Sequence, residues 1–165
     1  RETETLTPGN VYGSQKLRSE EQCVEIYPET VCLRLSWMYT TERFHGEKGD
    51  FLSALQATVT DPNSSISWPV YDRRGLTDVK YVVENLPKAL ALPGGVYNFG
   101  SETDRSMYEI TEEFVALLGK SIRVEKDESP RPNLWMTCDK ARRYGVNFSS
   151  VADGLLLCAK DYKYI

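Results

Sequence analysis

The chain of 165 residues lacks the features that mark several common classes of protein. It has no apolar run close to the roughly 20 residues that cross a bilayer, so we expect no membrane partner. Its polar, acidic start, RETETLTPG, has the pattern of neither a signal peptide nor a transit peptide, which predicts a cytoplasmic protein. The net charge is −4 and the basic residues are scattered, which argues against nucleic acid as the main partner.

Histidine and cysteine are too few and too dispersed to indicate a metal centre. The single histidine, His45, lies in the charged stretch ERFHGEKGD with no second histidine to share a metal. The four cysteines form no CxxC pair and lie in apolar contexts such as VCLRL and LLLCA. We therefore predict buried free thiols rather than disulfides. These cysteines are Cys23, Cys32, Cys138 and Cys158.

Most standard enzyme signatures are also missing. The sequence contains no GxGxxG or GxxGxxG, no P-loop, no GxSxG and no HExxH. Gly94 and Gly95 precede a predicted strand, whereas a dinucleotide site needs glycines between a strand and the N-terminus of a helix. The chain therefore has no recognisable cradle for a dinucleotide pyrophosphate.

Hydrophobic patterning predicts alternating helices and strands, and hence one α/β layered unit. Helices are predicted from Tyr12 to Ile26, after Asp50 through FLSALQATV, from Thr77 to Leu90 with Pro87 as its end or kink, over MYEITEEFVALLG after a Ser106 cap, and over VADGLLLCAK. Strands are predicted from Thr30 to Tyr39 and at SISWPVYD, GGVYNFGS and IRVEKD.

One short stretch, NVYGSQKL, carries a candidate for chemistry. Tyr12 and Lys16 are four residues apart at the start of a predicted helix, which places both side chains on one helical face. A neighbouring ammonium favours the phenolate and lowers the pKa of a phenol toward working pH, as a general acid for carbonyl reduction requires. The alternative is a packed tyrosine beside a solvated lysine, and the pair alone does not decide between them.

The order of several segments is more specific than this pair. The chain contains, in sequence, TPGNVYGSQKLRSEEQ, VCLRLSWMY, GDFLSAL, VYDRRGLTDV, GGVYNFGSETDRSMYEI and SPRPNLWMTCDKARRYG. In this order they resemble the C-terminal part of dTDP-4-dehydrorhamnose reductases, which belong to the extended short-chain dehydrogenase/reductase superfamily. The resemblance extends from Arg1 to about Leu157.

The resemblance implies a fold and a set of partners. It implies the C-terminal portion of an NAD(P)-binding Rossmann-like reductase, with residues 1–45 ending the Rossmann-like part and residues 46–165 forming mostly the substrate-binding part. The family's N-terminal Rossmann half is absent from this chain, so we expect either a fragment or a half supplied by a partner chain. NADP or NAD would bind mainly to that half. Family resemblance also implies a homodimer and, in some members, a divalent cation.

The same resemblance implies roles for residues of the helix. Tyr12 would protonate the keto oxygen of the substrate, and Lys16 would hold the nicotinamide ribose hydroxyls while assisting Tyr12. Both would therefore be catalytic and cofactor-binding residues. Asn10 would lie near the substrate.

Residues outside the helix would hold a nucleotide sugar. Trp37, in LSWMY, matches the family's tryptophan beside the sugar ring, with core packing as the alternative. Arg131, followed by proline, matches an arginine near the diphosphate, where a guanidinium can bind two oxygens; an ordinary surface arginine is the alternative. Asp50 and Phe51 would lie near the same site.

Departures from the family pattern leave several functions open. The stretch DRRGLTD has Arg73 in place of the family's glutamine and Leu76 in place of its proline, which leaves the substrate undefined. The main prediction is reduction of the 4-keto group of a deoxy-sugar nucleotide. The alternatives are a nucleotide-sugar epimerase or dehydratase, and a non-catalytic regulatory subunit that retains the fold. We expect this chain alone to be inactive.

Overall fold

The computed structural model describes residues 1–40, 51–53 and 65–161. Its helices are α1 (Val11–Ile26), α2 (Val79–Ala89), α3 (Met107–Leu117), α4 (Asp139–Arg142) and α5 (Val151–Asp161). Its strands are β1 (Val31–Leu35), β2 (Trp37–Tyr39), β3 (Ser65–Pro69), β4 (Leu76–Asp78), β5 (Gly95–Phe99) and β6 (Arg123–Asp127). The α/β class predicted from the sequence is confirmed.

The strands pair in parallel, two by two. β1 pairs with β5, β2 with β4, and β3 with β6. Each pair joins strands that are distant in sequence, as in Val31 opposite Gly95, and the connections between them contain helices. Parallel strands need such crossover connections, and helices then cover the sheet.

The single strand predicted from Thr30 to Tyr39 is instead two strands that break at Ser36. The Ser36 amide, just after β1, donates to the carbonyl of Phe99 at the end of β5. The Trp37 amide donates to the carbonyl of Gly75, just before β4. The Ser36 hydroxyl also forms a short hydrogen bond with the Thr77 hydroxyl. The chain therefore exchanges one partner strand for another at this residue, and a mostly apolar run with few polar breaks did not predict that exchange.

Helix ends follow the predicted signals closely. Ser106 caps α3 in a reciprocal capping box with Glu109, whose carboxylate accepts from the Ser106 amide at 2.7 Å. Gly119, in the left-handed region at φ +62°, follows the end of α3. α2 continues through Pro87 and ends at Ala89, so this proline lies in the last turn near the predicted end. Residues 51–53 are helical, and the rest of the helix predicted after Asp50 lies outside the described residues.

Two apolar clusters form the core. The first, built around Tyr39, Phe51 and Phe114, joins β2 and β4 to α3 and α5. The second, built around Tyr97 and Phe99, joins β5 to α2 and α4. Within the described ranges, no helix is both long and apolar enough to cross a membrane.

The cysteines are less buried than predicted. Cys138 and Cys158 are buried, but Cys32 is half-buried and Cys23 is exposed. Cys23 lies on α1, none of whose residues is buried, so nothing within the described chain covers this position. The prediction of free thiols is confirmed for Cys23, Cys32 and Cys138.

Candidate functional site

The first turns of α1 bring Tyr12 and Lys16 together. The Lys16 Nζ atom lies 5.5 Å from the centroid of the Tyr12 ring, as their spacing on one helical face requires. The Tyr12 side chain is 70% exposed. A phenol and an ammonium are therefore adjacent and open to an approaching ligand.

Asn10 fixes the start of this helix. Its Oδ1 atom accepts a hydrogen bond of 2.7 Å from the Gly13 amide, and its carbonyl accepts from the Ser14 hydroxyl at 3.0 Å. The first bond satisfies an amide at the helix N-terminus that would otherwise have no partner within the helix. Asn10 thus positions the turn that carries Tyr12, a role that the sequence resemblance did not suggest.

An ion pair sets the height of α1 against β1. The Arg34 guanidinium donates two hydrogen bonds to Glu20, of 2.8 and 2.6 Å, from β1 to the middle of α1. Only residues 27–30 connect the two elements, so the helix and the strand run in opposite directions. Tyr12 lies about 12 Å along the helix from Glu20, and Trp37 lies about 10 Å along the chain from Arg34. Both residues therefore lie on the side of the ion pair toward the carboxyl end of β1.

Trp37 is half-buried at the start of β2 and has two aromatic or cationic neighbours. Its ring centroid lies 6.2 Å from that of Trp68, with the planes tilted by 59°. The guanidinium carbon of Arg74 lies 5.4 Å from the Trp37 ring centroid, in cation–π contact. Trp37 thus packs against the first core cluster together with Trp68, and Arg74 is its cationic neighbour.

Asp72 holds Arg74 in this position. Arg74 Nε donates to Asp72 Oδ1 at 2.8 Å, and Arg74 Nη2 lies 2.7 Å from Asp72 Oδ2. Asp72 is buried, and its carbonyl accepts from the Met107 amide at the start of α3. The sequence did not predict that Arg74 and Asp72 form a pair. The only sequence feature that could have indicated it is the triplet DRR at residues 72–74.

Arg131 is anchored at the end of β6. Its Nη2 atom lies 3.0 Å from Asp127 Oδ2, and the Ser129 amide donates to Asp127 Oδ1 at 2.9 Å. Hydrogen bonds from Ser129, reinforced by Arg131, lower the pKa of Asp127 to about 2. The Arg131 side chain remains 46% exposed, so the ion pair leaves part of its guanidinium accessible.

A backbone hydrogen bond brings the two arginine-bearing segments together. The Leu134 amide donates to the carbonyl of Arg73 at 2.9 Å, which places the segment after Arg131 alongside the segment that contains Arg74. Arg73 Nη1 also donates to the carbonyl of Asp104 at 2.8 Å. Arg73 and its neighbour Tyr71 are exposed. An aromatic and cationic surface of this kind suits a nucleotide with its phosphates.

Of the two site residues predicted at positions 50 and 51, the structure describes Phe51. Phe51 has no exposed surface and packs against Trp68 and Phe114, with ring centroids 5.5 and 6.1 Å apart. Phe51 is thus a core residue that packs against Trp68, and its predicted place near the substrate stays a prediction. Asp50 and His45 lie outside the described residues.

The described ranges show no group of three or more His, Cys, Asp and Glu side chains arranged to hold a metal ion. The cofactor is a different matter, because Tyr12 and Lys16 are exposed donors that fit a nicotinamide ribose. Within the same ranges, the strand that pairs with β1 is β5 alone, so the other edge of β1 has no strand partner there.

Comparison with solved structures shows which fold this is. With a TM-score of 0.77, the chain is similar to dTDP-4-dehydrorhamnose reductase from Bacillus anthracis in complex with NADP, at 18% identity over 94% of this chain and 56% of that chain. It is similar to RMD from Pseudomonas aeruginosa complexed with NADPH, with a TM-score of 0.75 and 18% identity over 99% of this chain and 59% of that one.

A third similar structure is UDP-glucose 4-epimerase from Thermus thermophilus in complex with NAD. The TM-score is 0.74 and the identity 17%, over 99% of this chain and 57% of that chain. The sequence matches no protein-family model and no curated protein. The fold is that of NAD(P)-binding Rossmann-like reductases and epimerases, and this chain spans a little over half the length of these structures.

Proposed function

We propose that this chain is part of an NAD(P)-dependent reductase that acts on the 4-keto group of a deoxy-sugar nucleotide. The observation that carries the proposal is the Tyr12–Lys16 pair, exposed on the first turns of α1 with 5.5 Å between the Lys16 ammonium and the Tyr12 ring. The similarity to a dTDP-4-dehydrorhamnose reductase supports the same direction.

Tyr12 is the general acid in this proposal. A bound nicotinamide cofactor, NADP or NAD, would supply the hydride. As negative charge grows on the substrate's keto oxygen, the Tyr12 hydroxyl donates its proton to that oxygen. The Lys16 ammonium stabilises the phenolate that remains, because opposite charges attract strongly at this separation. Lys16 Nζ would also hold the ribose hydroxyls of that cofactor by hydrogen bonds.

The substrate lies across the surface formed by Trp37 and the two arginine-bearing segments. Trp37 packs against the sugar ring, whose C–H faces suit an aromatic side chain. Arg131 binds the diphosphate, and the adjoining Arg74 adds a second guanidinium that Asp72 keeps in a fixed orientation. Two fixed guanidinium groups favour a dianionic diphosphate over a neutral sugar.

The dinucleotide pyrophosphate binds to a second Rossmann-like unit, which either precedes this chain in the same polypeptide or belongs to a partner chain. Two observations support this part of the proposal. Val11 and Ile26, at the two ends of α1, are 73% and 82% exposed, so each end of the helix leaves an apolar side chain uncovered by the described residues. The edge of β1 opposite β5 offers backbone groups to a further parallel strand.

A nucleotide-sugar epimerase is the second candidate, because the same fold similarity extends to a UDP-glucose 4-epimerase. An epimerase would return the cofactor to its starting redox state, whereas a reductase consumes one NADPH or NADH for each sugar. Cofactor stoichiometry therefore separates the two. A regulatory subunit would bind a nucleotide or a partner with no turnover.

The deciding experiment measures NADPH oxidation with dTDP-4-dehydrorhamnose. We expect no activity from the 165-residue chain alone, and activity from the full-length protein or the complex with its Rossmann-like unit. In that active form Tyr12→Phe should lower kcat by about 10²–10⁴-fold. Tyr27→Phe, at the exposed far end of the same helix, is the matched control and should leave kcat unchanged. Unchanged turnover in Tyr12→Phe would contradict the assignment of the acid.

A further inference from the structure

An apolar groove lies between α3 and α5, and none of the residues assigned to the proposed reaction lines it. Its volume is about 380 Å³. Ile110, Phe114 and Leu155 form its floor, and all three belong to the first core cluster. Leu117 and Leu156 line its sides, and the Leu117 side chain is 38% exposed. The groove thus continues the core to the surface.

The rim of the groove carries an excess of negative charge. Its carboxylates are Glu102, Asp104, Glu113 and Asp153, against one lining cation, Arg105. Arg105 pairs with Glu113, and Arg142 pairs with Glu102 at 3.0 Å. Within residues 1–40, 51–53 and 65–161, Asp104 and Asp153 have no ion-pair partner. These two carboxylates would attract basic groups that flank an apolar occupant.

The walls determine the kind of backbone that can occupy the groove. Its long walls are the helices α3 and α5, whose interior amides and carbonyls bond within their own element, and the remaining lining residues, 102–105 and Ser150, belong to no strand. The groove therefore offers no strand edge for pairing. An extended segment would lose hydrogen bonds to water and gain none. A helix satisfies its own backbone and can lay an apolar stripe between two others, as in helix-in-groove recognition. From Ile110 to Leu117 the groove runs about 10 Å, or two helical turns.

We propose that this groove is a docking site for an amphipathic helix of a partner protein. The helix carries apolar side chains at positions i, i+3 or i+4, and i+7, which enter the groove. Lysine or arginine side chains flank that stripe and meet Asp104 and Asp153. This proposal does not depend on the catalytic assignment of Tyr12.

The test uses a fluorescently labelled amphipathic peptide of about 18 residues, made of leucine and lysine at helical spacing. Fluorescence anisotropy against the full chain gives its Kd. Leu156→Glu, which places a charge inside the groove, should weaken binding by at least about tenfold. Leu157→Glu is the matched control, because it is the next residue of α5, is 41% exposed and does not line the groove. Its Kd should equal that of the unchanged chain.

The charge component has its own variants, which leave the core untouched. Asp104→Asn combined with Asp153→Asn should weaken peptide binding severalfold and flatten its salt dependence, whereas Glu21→Gln combined with Glu25→Gln on α1 should do neither. A peptide with glutamate in place of every lysine should not bind. Equal weakening by Leu156→Glu and Leu157→Glu, or equal affinity for the acidic peptide, would overturn the proposal. So would the absence of any peptide binding to the unchanged chain.

Discussion

The guanidinium of Arg34 forms two hydrogen bonds with the carboxylate of Glu20, and this pair joins β1 to the middle of α1. The side chains are only 22% and 16% exposed, and bonding to Glu20 raises the pKa of Arg34. A paired arginine at this degree of burial is held in one geometry. The pair thereby fixes α1 against β1, with Tyr12 on the side toward the carboxyl end of the strand.

Breaking that pair should destabilise the chain. Glu20→Gln leaves the Arg34 charge partly buried without its counter-charge, and we expect a loss of about 1–3 kcal/mol in the free energy of unfolding. Urea denaturation measures the loss. Glu21→Gln, on the adjacent and exposed position of α1, is the control and should change the value by less than about 0.5 kcal/mol. Equal effects of the two changes would show that the ion pair does not hold α1 in place.

Asn10 separates helix capping from substrate contact. Asn10→Ala removes the bond to the Gly13 amide and should cost about 1 kcal/mol of unfolding free energy, while Asn10→Asp keeps an acceptor and should cost little. If Asn10 also touches the substrate, Asn10→Asp would raise KM in the active protein without lowering stability. Thermal denaturation and steady-state kinetics together distinguish the two roles. Equal stability of the alanine and aspartate variants would contradict the capping role.

Gly75 is predicted to tolerate no side chain. A methyl group built there would overlap the carbonyl oxygen of Ser101, which is backbone and cannot rotate away. We expect Gly75→Ala to cost about 3 kcal/mol or more, or to prevent folding. Gly9→Ala is the control, because a methyl group at Gly9 meets no atom within 4 Å. Circular dichroism and the urea midpoint of both variants provide the measurement. A fully stable Gly75→Ala would contradict the close approach of Gly75 to the Ser101 carbonyl.

The thiols should differ sharply in reactivity. Burial raises the pKa of Cys138 to about 12, and its Sγ donates to the carbonyl of Gly100 at 3.2 Å, so few of these thiols ionise near neutrality. A group with a raised pKa in the folded state stabilises that state fully below its ordinary pKa. The contribution is lost as pH rises toward the folded value. Cys138 should therefore resist iodoacetamide up to about pH 9, whereas exposed Cys23 reacts at a rate that rises with pH.

Peptide mapping by mass spectrometry identifies the labelled cysteine. The control is the same reaction in urea, where Cys138 should react as readily as Cys23. Rapid labelling of Cys138 in the folded chain would show that the packing around this thiol opens.

Features of the fold that depend on residues close in sequence were predictable. The Tyr12–Lys16 pair was predictable because a spacing of four on a helix depends on no other part of the chain. The Ser106 cap of α3 was predictable for the same reason, since its partner Glu109 is three residues away. These features are fixed by neighbours in sequence.

Features that depend on distant residues escaped prediction. The break at Ser36 exists because the chain changes its partner strand there, from β5 to β4. The residues from Thr30 to Tyr39 alone do not indicate where the partner strands lie. The cation–π contact between Arg74 and Trp37 joins residues that are distant in sequence. The burial of Phe51 against Trp68 and Phe114 likewise depends on residues 17 and 63 positions further along the chain.

The break at Ser36 also limits how this protein can move. β1 and β2 belong to different strand pairs, and a single residue separates them. Ser36 is held by the carbonyl of Phe99 and the hydroxyl of Thr77, so this residue is not a free pivot. Domain closure by a hinge needs a segment that can absorb a rotation of the backbone. A rotation at Ser36 would break these hydrogen bonds, so we expect the two strand pairs to keep their mutual angle.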